Sequence, residues 1–134
     1  MDAPAIVLPE TMEWVTRPHA PGEPARHVAE LTERTGTVHG GHNVWRYEPG
    51  ARGRRHVHDR QEETFLVVRG TLSTYLGDDA VRHDVPTGGV VHVPPGVAQQ
   101  TVNHGDEDLV VYAWGAPQDD GAEVLATPAP SAGR

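Results

Sequence analysis

Cysteine is absent from the 134 residues, so neither a disulfide nor a thiolate metal site can form, and any metal must be held by imidazole, carboxylate or amide groups. Positive charge is scarce. Eleven Lys plus Arg stand against 19 Asp plus Glu, for a formal charge of -8 and a pI near 5.5. Such a chain lacks the basic stripe needed to neutralise nucleic-acid phosphates or an anionic membrane surface. Long apolar runs are missing as well: nothing approaches the roughly 20 residues of a membrane span. Met1 to Glu10 carries Asp2, Pro4 and Pro9 and has neither the basic start nor the apolar run of a secretory signal. The expectation is a cytoplasmic protein with neither nucleic acid nor membrane as partner.

The length fits one domain, 1–134, since domains usually run to about 100–150 residues. Only 37% of residues are hydrophobic, while 15 Gly and 12 Pro supply turns, a balance that suits many short strands rather than a few long helices. Five of the twelve prolines fall within Met1 to Pro24, which reads as a Pro-rich arm, and 116–134, rich in Pro, Gly, Ala and Asp, reads as a tail. Between them, strand-length segments alternate with turns: Thr37–Tyr47, Glu63–Arg69, Thr71–Leu76, Ala80–Val85, Val90–Val93, Val97–Asn103 and Leu109–Trp114. This punctuation predicts an all-β sandwich or barrel with its core over about 37–114. Gly77-Asp78-Asp79 predicts a hairpin, and His27 to Arg34, with Val28 and Leu31 three apart, predicts a short helix. No long-period repeat is visible.

From Gly50 to Gly70 the chain reads GARGRRHVHDRQEETFLVVRG. Residues two apart on a strand share a face, so His56 and His58 can both turn a ring nitrogen inward. Asp59 to Glu62 is a polar turn short enough for the next strand to return antiparallel and bring Glu63 opposite the histidines. Two imidazoles and one carboxylate then hold a divalent metal from one side. The remaining positions stay open for water, substrate or dioxygen, an arrangement that suits Fe(II) and also accommodates Mn, Zn or Ni.

This segment resembles the first motif of the cupin family, G-x5-H-x-H-x(3,4)-E-x6-G, filled by Gly50, His56, His58, Glu63 and Gly70. Glu62 would satisfy the shorter spacing, but only Glu63 lies seven residues before Gly70. A second motif, G-x5-P-x-G-x2-H-x3-N, is matched by Gly88, Pro94, Gly96 and Asn103, with Gln99 where the family places a further histidine. The resemblance runs from about Thr37 to Trp114 and implies a double-stranded β-helix, or jelly-roll barrel, with the metal inside. It also implies a homodimer paired through residues about Met12 to Thr37. Gln99 is either a weaker, neutral fourth ligand, a residue bonded to a metal-bound water or substrate, or an interior polar residue without metal contact.

Around this centre, period two places Phe65 and Val67 on the face of Glu63, as walls of the cavity below the metal. His92 shares a face with Val90, opposite Val91 and Val93, and looks either into the cavity, as a substitute base, or into solvent. His92 and Gln99 are thus the catalytic candidates. Arg54 has the strand parity of His56 and either meets an anionic substrate or belongs to a solvated loop. Tyr47, Tyr112 and Trp114 either shape the pocket or serve as packing. His19, His27, His83 and His104 are expected at the surface, and His39 and His42, flanking a Gly-Gly pair, at the surface, a partner interface or a second metal site.

The functional expectation is a metal-dependent enzyme acting on a small oxygen-bearing organic molecule, of the dioxygenase, isomerase or cyclase, or lyase type. The alternative is a non-catalytic module that binds or senses a small molecule in the same pocket.

Overall fold

A computed structural model describes residues 3–118 and 121–128. Among them are eleven strands: β1 (Trp14–Thr16), β2 (Arg26–Glu30), β3 (Gly41–Tyr47), β4 (His56–His58), β5 (Glu62–Arg69), β6 (Leu72–Leu76), β7 (Val81–Val85), β8 (Val90–Val93), β9 (Gln99–Val102), β10 (Leu109–Ala116) and β11 (Ala122–Val124). One four-residue helix, α1 (Thr32–Thr35), and a 3-10 turn at Pro9–Thr11 complete the elements. All strand pairings are antiparallel. One sheet has the order β1, β2, β3, β10, β5, β8 and the other β11, β4, β9, β6, β7.

The alternation of side chains fixes which face turns inward. Along β10 every second residue from Leu109 is buried, and along β8 Val91 and Val93 are buried while Val90 and His92 are exposed. The inward faces pack Tyr47, Ala51, Val67, Leu72, Val91, Val93, Leu109 and Val111 into one core. Each fully buried Val or Leu there contributes about 1.5–3 kcal/mol. The core fills one end of the sandwich; the other end is left to the polar site described below.

Two glycines of the first motif have a backbone reason. Gly50 and Gly70 take φ of +86° and +79°, a region costly for residues with a Cβ, and a Cβ on Gly70 would lie 3.0 Å from the Asp108 carbonyl oxygen. The expected hairpin is present as β6 and β7, paired from Leu72↔Val85 to Leu76↔Val81.

One expectation is corrected and three are refined. His27 to Arg34 is not a helix: its first part is β2, whose residues pair in register with β3 from Arg26↔Tyr47 to Glu30↔Asn43, and only Thr32–Thr35 turns helically before Gly36 ends it. The Pro-rich arm contributes β1, which pairs with β2 inside the same sheet. The tail contributes β11, which pairs with β4; 119–120 and 129–134 lie outside the described residues. Finally, the turn after His58 brings Glu63 opposite the histidines, but not by pairing β4 with β5. It carries the chain from one sheet to the other, so β4 and β5 face each other across the sandwich.

Candidate metal centre

His56 and His58 project from the same face of β4, their rings 5.1 Å apart and nearly perpendicular. Glu63, second residue of β5, meets them from the opposite sheet: its Oε1 lies 2.9 Å from His58 Nε2 and 3.7 Å from His56 Nε2. One donor atom from each of the three residues falls within 4.8 Å of the others. The His56 Nδ1–H donates to the Arg54 carbonyl at 3.0 Å, which fixes the tautomer and leaves the Nε2 lone pair facing Glu63. Gln99, paired with His56 in the β4/β9 register and only 3% exposed, donates from Nε2 to Glu63 Oε1 at 2.7 Å.

Burial would raise the Glu63 pKa, but hydrogen bonds and positive charge from His56 and His58 outweigh it and hold the carboxyl at about 2. Glu63 is therefore ionised across the physiological range. Burial also disfavours a charged His56, yet its interactions with Glu63 and the Arg54 carbonyl prevail and raise its pKa above the ordinary value. The three groups thus form a pocket of lone pairs that a cation satisfies, whether a proton or a divalent metal. Two nitrogens and one carboxylate fit iron, manganese, zinc or nickel.

The centre opens into a cavity of about 450 Å³. Trp45, Tyr47, Phe65, Val111 and Ala113 supply its apolar wall, and Arg54 reaches its rim. Tyr47 is buried, which raises its hydroxyl pKa against the opposing pull of Arg26 and Thr101, so it stands in the cavity as a neutral phenol.

Several expected residues lie elsewhere. Val67 shares the face of Glu63 but sits deeper, 1% exposed in the apolar core, and does not line this cavity. His92 points to the outer face of its sheet, 3.1 Å from the Thr64 hydroxyl and 3.5 Å from Glu62, so it is not a base in the cavity. Tyr112 and Trp114 occupy the outer face of β10 against His42. His42 has both ring nitrogens engaged, with Thr35 and Thr37 on one side and Tyr112 on the other, and His39 is exposed, so the pair forms no second metal site. His27 is not a surface residue: its side chain is 12% exposed and bonds Glu48 at 2.7 Å.

Other lining residues escaped the sequence reading: Arg17 and Arg26 from the arm, Asn43 from β3, and Ala122 and Val124 from the tail. Once β2 is a strand, its parity accounts for the two charged residues that line the cavity. In RHVAE, Arg26, Val28 and Glu30 share one face, and that face turns inward.

A family model described as "Cupin domain" matches residues 43–115. Among solved structures, a conserved protein with a double-stranded β-helix domain from Klebsiella pneumoniae is 26% identical. That match covers 83% of this chain and 90% of the other, with a TM-score of 0.66. A sugar phosphate isomerase of the cupin superfamily from Silicibacter pomeroyi is 25% identical over 80% of this chain and 72% of its own, TM-score 0.68. The polyketide cyclase RemF from Streptomyces resistomycificus shares the fold at 15% identity, covering 91% and 85%, TM-score 0.76. No curated protein matches the chain by sequence. Among the described residues, no helix is long and apolar enough to cross a membrane.

Proposed function

This chain belongs to the cupin family, and we propose that it holds one divalent metal ion on His56, His58 and Glu63 and works with it as an enzyme on a small oxygen-bearing organic molecule. The observation that carries this reading is the convergence of three donor atoms within 4.8 Å at the wall of a cavity large enough for a small substrate. A metal bound there supplies Lewis acidity to a substrate oxygen or, if iron, a redox centre.

The chain's own residues set the conditions for that chemistry. Glu63 stays ionised and so offers a full charge to the ion. The Arg54 carbonyl keeps the His56 proton on Nδ1, and Gln99 orients the Glu63 carboxylate through its amide N–H. Trp45 and Phe65 exclude water from the wall, while the neutral Tyr47 hydroxyl can donate to a substrate oxygen. Of the reaction classes open to such a site, the isomerase type draws support from the similarity to the Silicibacter pomeroyi sugar phosphate isomerase.

One observation favours a second reading, a non-catalytic small-molecule-binding module. Gln99 stands where the cupin motif has a histidine, and its amide is spent on Glu63. Elemental analysis of protein purified without added metal, with an anomalous diffraction map, separates the two. About one metal per chain at His56, His58 and Glu63, together with turnover of a sugar phosphate or other small substrate that chelation abolishes and metal restores, is the expected result. A site that takes up none of iron, manganese, zinc or nickel on reconstitution would sink the enzyme reading.

A further inference from the structure

We propose that the cavity beside the metal centre is built for an organic oxyanion, with Arg26 as its anchor and Arg17 and Arg54 as supporting charges. This names the substrate class for the function proposed above, and it rests on that reading only for the enzyme's use of the anion.

The chain has no lysine, so arginine carries all of its fixed side-chain positive charge. Four of the other arginines face carboxylates: Arg34 with Glu13 at 3.9 Å, Arg46 with Asp108 at 3.3 Å, Arg69 with Glu107 at 3.2 Å and Arg82 with Asp84 at 2.9 Å, while Arg55 donates to the Ala126 and Gly77 carbonyls. Arg17, Arg26 and Arg54 line the cavity. Among the described residues, none of the three has a carboxylate within 4.0 Å. A molecule of charge -8 thus gathers three uncompensated cations at one opening. In a low-dielectric cleft such a cluster concentrates anions.

Arg26 is also the best held of the three. It sits in β2 opposite Tyr47, with its guanidinium 5.4 Å from the Trp45 ring and 5.8 Å from the Tyr47 ring. These rings and a hydrogen bond to the Tyr47 side chain hold the group, and its remaining N–H donors suit a contact with carboxylate or phosphate. Arg17 is brought alongside by its backbone N–H, which donates to the Arg26 carbonyl at 2.8 Å. Arg54 lies two residues before His56, which ties the cluster to the metal ligands. Besides Glu63, which is engaged by His56, His58 and Gln99, the cavity's carboxylate is Glu30, but it is four residues along β2, roughly 13 Å away at about 3.3 Å per residue, too far to neutralise Arg26. Opposite Glu30, the Asn43 Oδ1 is buried and has no hydrogen-bond partner among the described residues. A ligand with its anion on Arg26 and a polar group reaching Asn43 would satisfy both ends of the wall.

Carboxylate and phosphate share this recognition, so the probes separate them: phenylpyruvate against its methyl ester, and glucose 6-phosphate against glucose. Each is titrated by calorimetry into the whole protein, without metal and loaded with Zn, in wild type, Arg26→Met and Arg26→Lys. At least one anion should bind, with its neutral counterpart at least about tenfold weaker. Arg26→Met should lose at least about tenfold in anion affinity, Arg26→Lys should recover only part of it, and Zn affinity by chelator competition should not fall in either. Circular dichroism checks that both variants fold, and the lysine variant keeps the test decisive if the methionine variant does not. Failure of both anions to bind wild type, or equal binding by wild type and the Arg26 variants, overturns the anchor. Arg26-dependent anion binding by a protein that takes up no divalent metal would sink the metal reading and leave the anchor standing.

Discussion

Glu62 and Glu63 are neighbours in the chain, but the pleat of β5 sends them to opposite faces. Glu63 meets His56 and His58 inside, while Glu62 lies outside beside His92. Glu63→Ala should therefore lower divalent-metal affinity by at least about 100-fold, since even outer partners of metal ligands are worth about 10–100-fold. Glu62→Ala should leave it within about threefold, and chelator titration of both variants measures the contrast. Gln99 poses a subtler case. Its amide steadies Glu63 at 2.7 Å, so Gln99→Ala should weaken metal binding by about tenfold without removing a ligand. Gln99→His offers a stronger, softer donor and should tighten Zn, Ni or Fe while slowing the native reaction, because a fourth strong ligand closes a position the substrate needs. Unchanged metal affinity in both Gln99 variants would place this residue outside the metal's influence.

At the scale of the element, β2 decides whether Arg26 reaches the cavity, and what fixes β2 is partly ionic. His27 bonds Glu48 at 2.7 Å, and Glu48 also accepts from the Ala25 backbone N–H at 3.1 Å. Both bonds, the one from His27 more strongly, pull the Glu48 pKa below its ordinary value. A carboxyl depressed in the folded state adds stability that is present above its unfolded pKa and is lost as pH falls through the folded one. Wild type should thus melt above Glu48→Gln at pH 7, with the gap narrowing below about pH 4.5; thermal melts across that range check it. The sequence reading made this strand a helix because Val28 and Leu31 lie three apart, and that spacing also fits a strand residue followed by the buried start of a turn. RHVAE itself carries no polar-apolar alternation, and pairing with β3 is what makes it a strand. The tail strand β11 was less legible still, since AEV has no pattern of its own and becomes a strand only against the open edge of β4.

For the molecule as a whole, turn residues announced a sandwich or barrel and the motif spacing announced three candidate ligands, because both are local properties of the chain. What local spacing could not carry was which sheet each strand joins. His58 and Glu63 look like hairpin neighbours in sequence, and the fold brings them together across the sandwich instead. This arrangement makes the metal centre depend on β4, a three-residue strand with a single registered pair to β9, His56↔Gln99. Its other neighbour is β11, which pairs with all three of its residues and is continued by the Leu125 N–H bond to the Arg55 carbonyl at 2.8 Å. Among the described residues, the apolar core draws nothing from the tail. Ending the chain after Gln118 should accordingly lower metal affinity by about tenfold or more as β4 loosens, while the melting temperature of the metal-free protein falls by only a few degrees. The stabilisation conferred by excess metal should shrink by about 1.4 kcal/mol for each tenfold loss of affinity. Melts with and without Zn, paired with chelator competition, measure both quantities. A truncated protein that binds metal as tightly as the full chain would show that β9 and the Gly96 N–H bond to the His58 carbonyl are enough to hold the histidines in place.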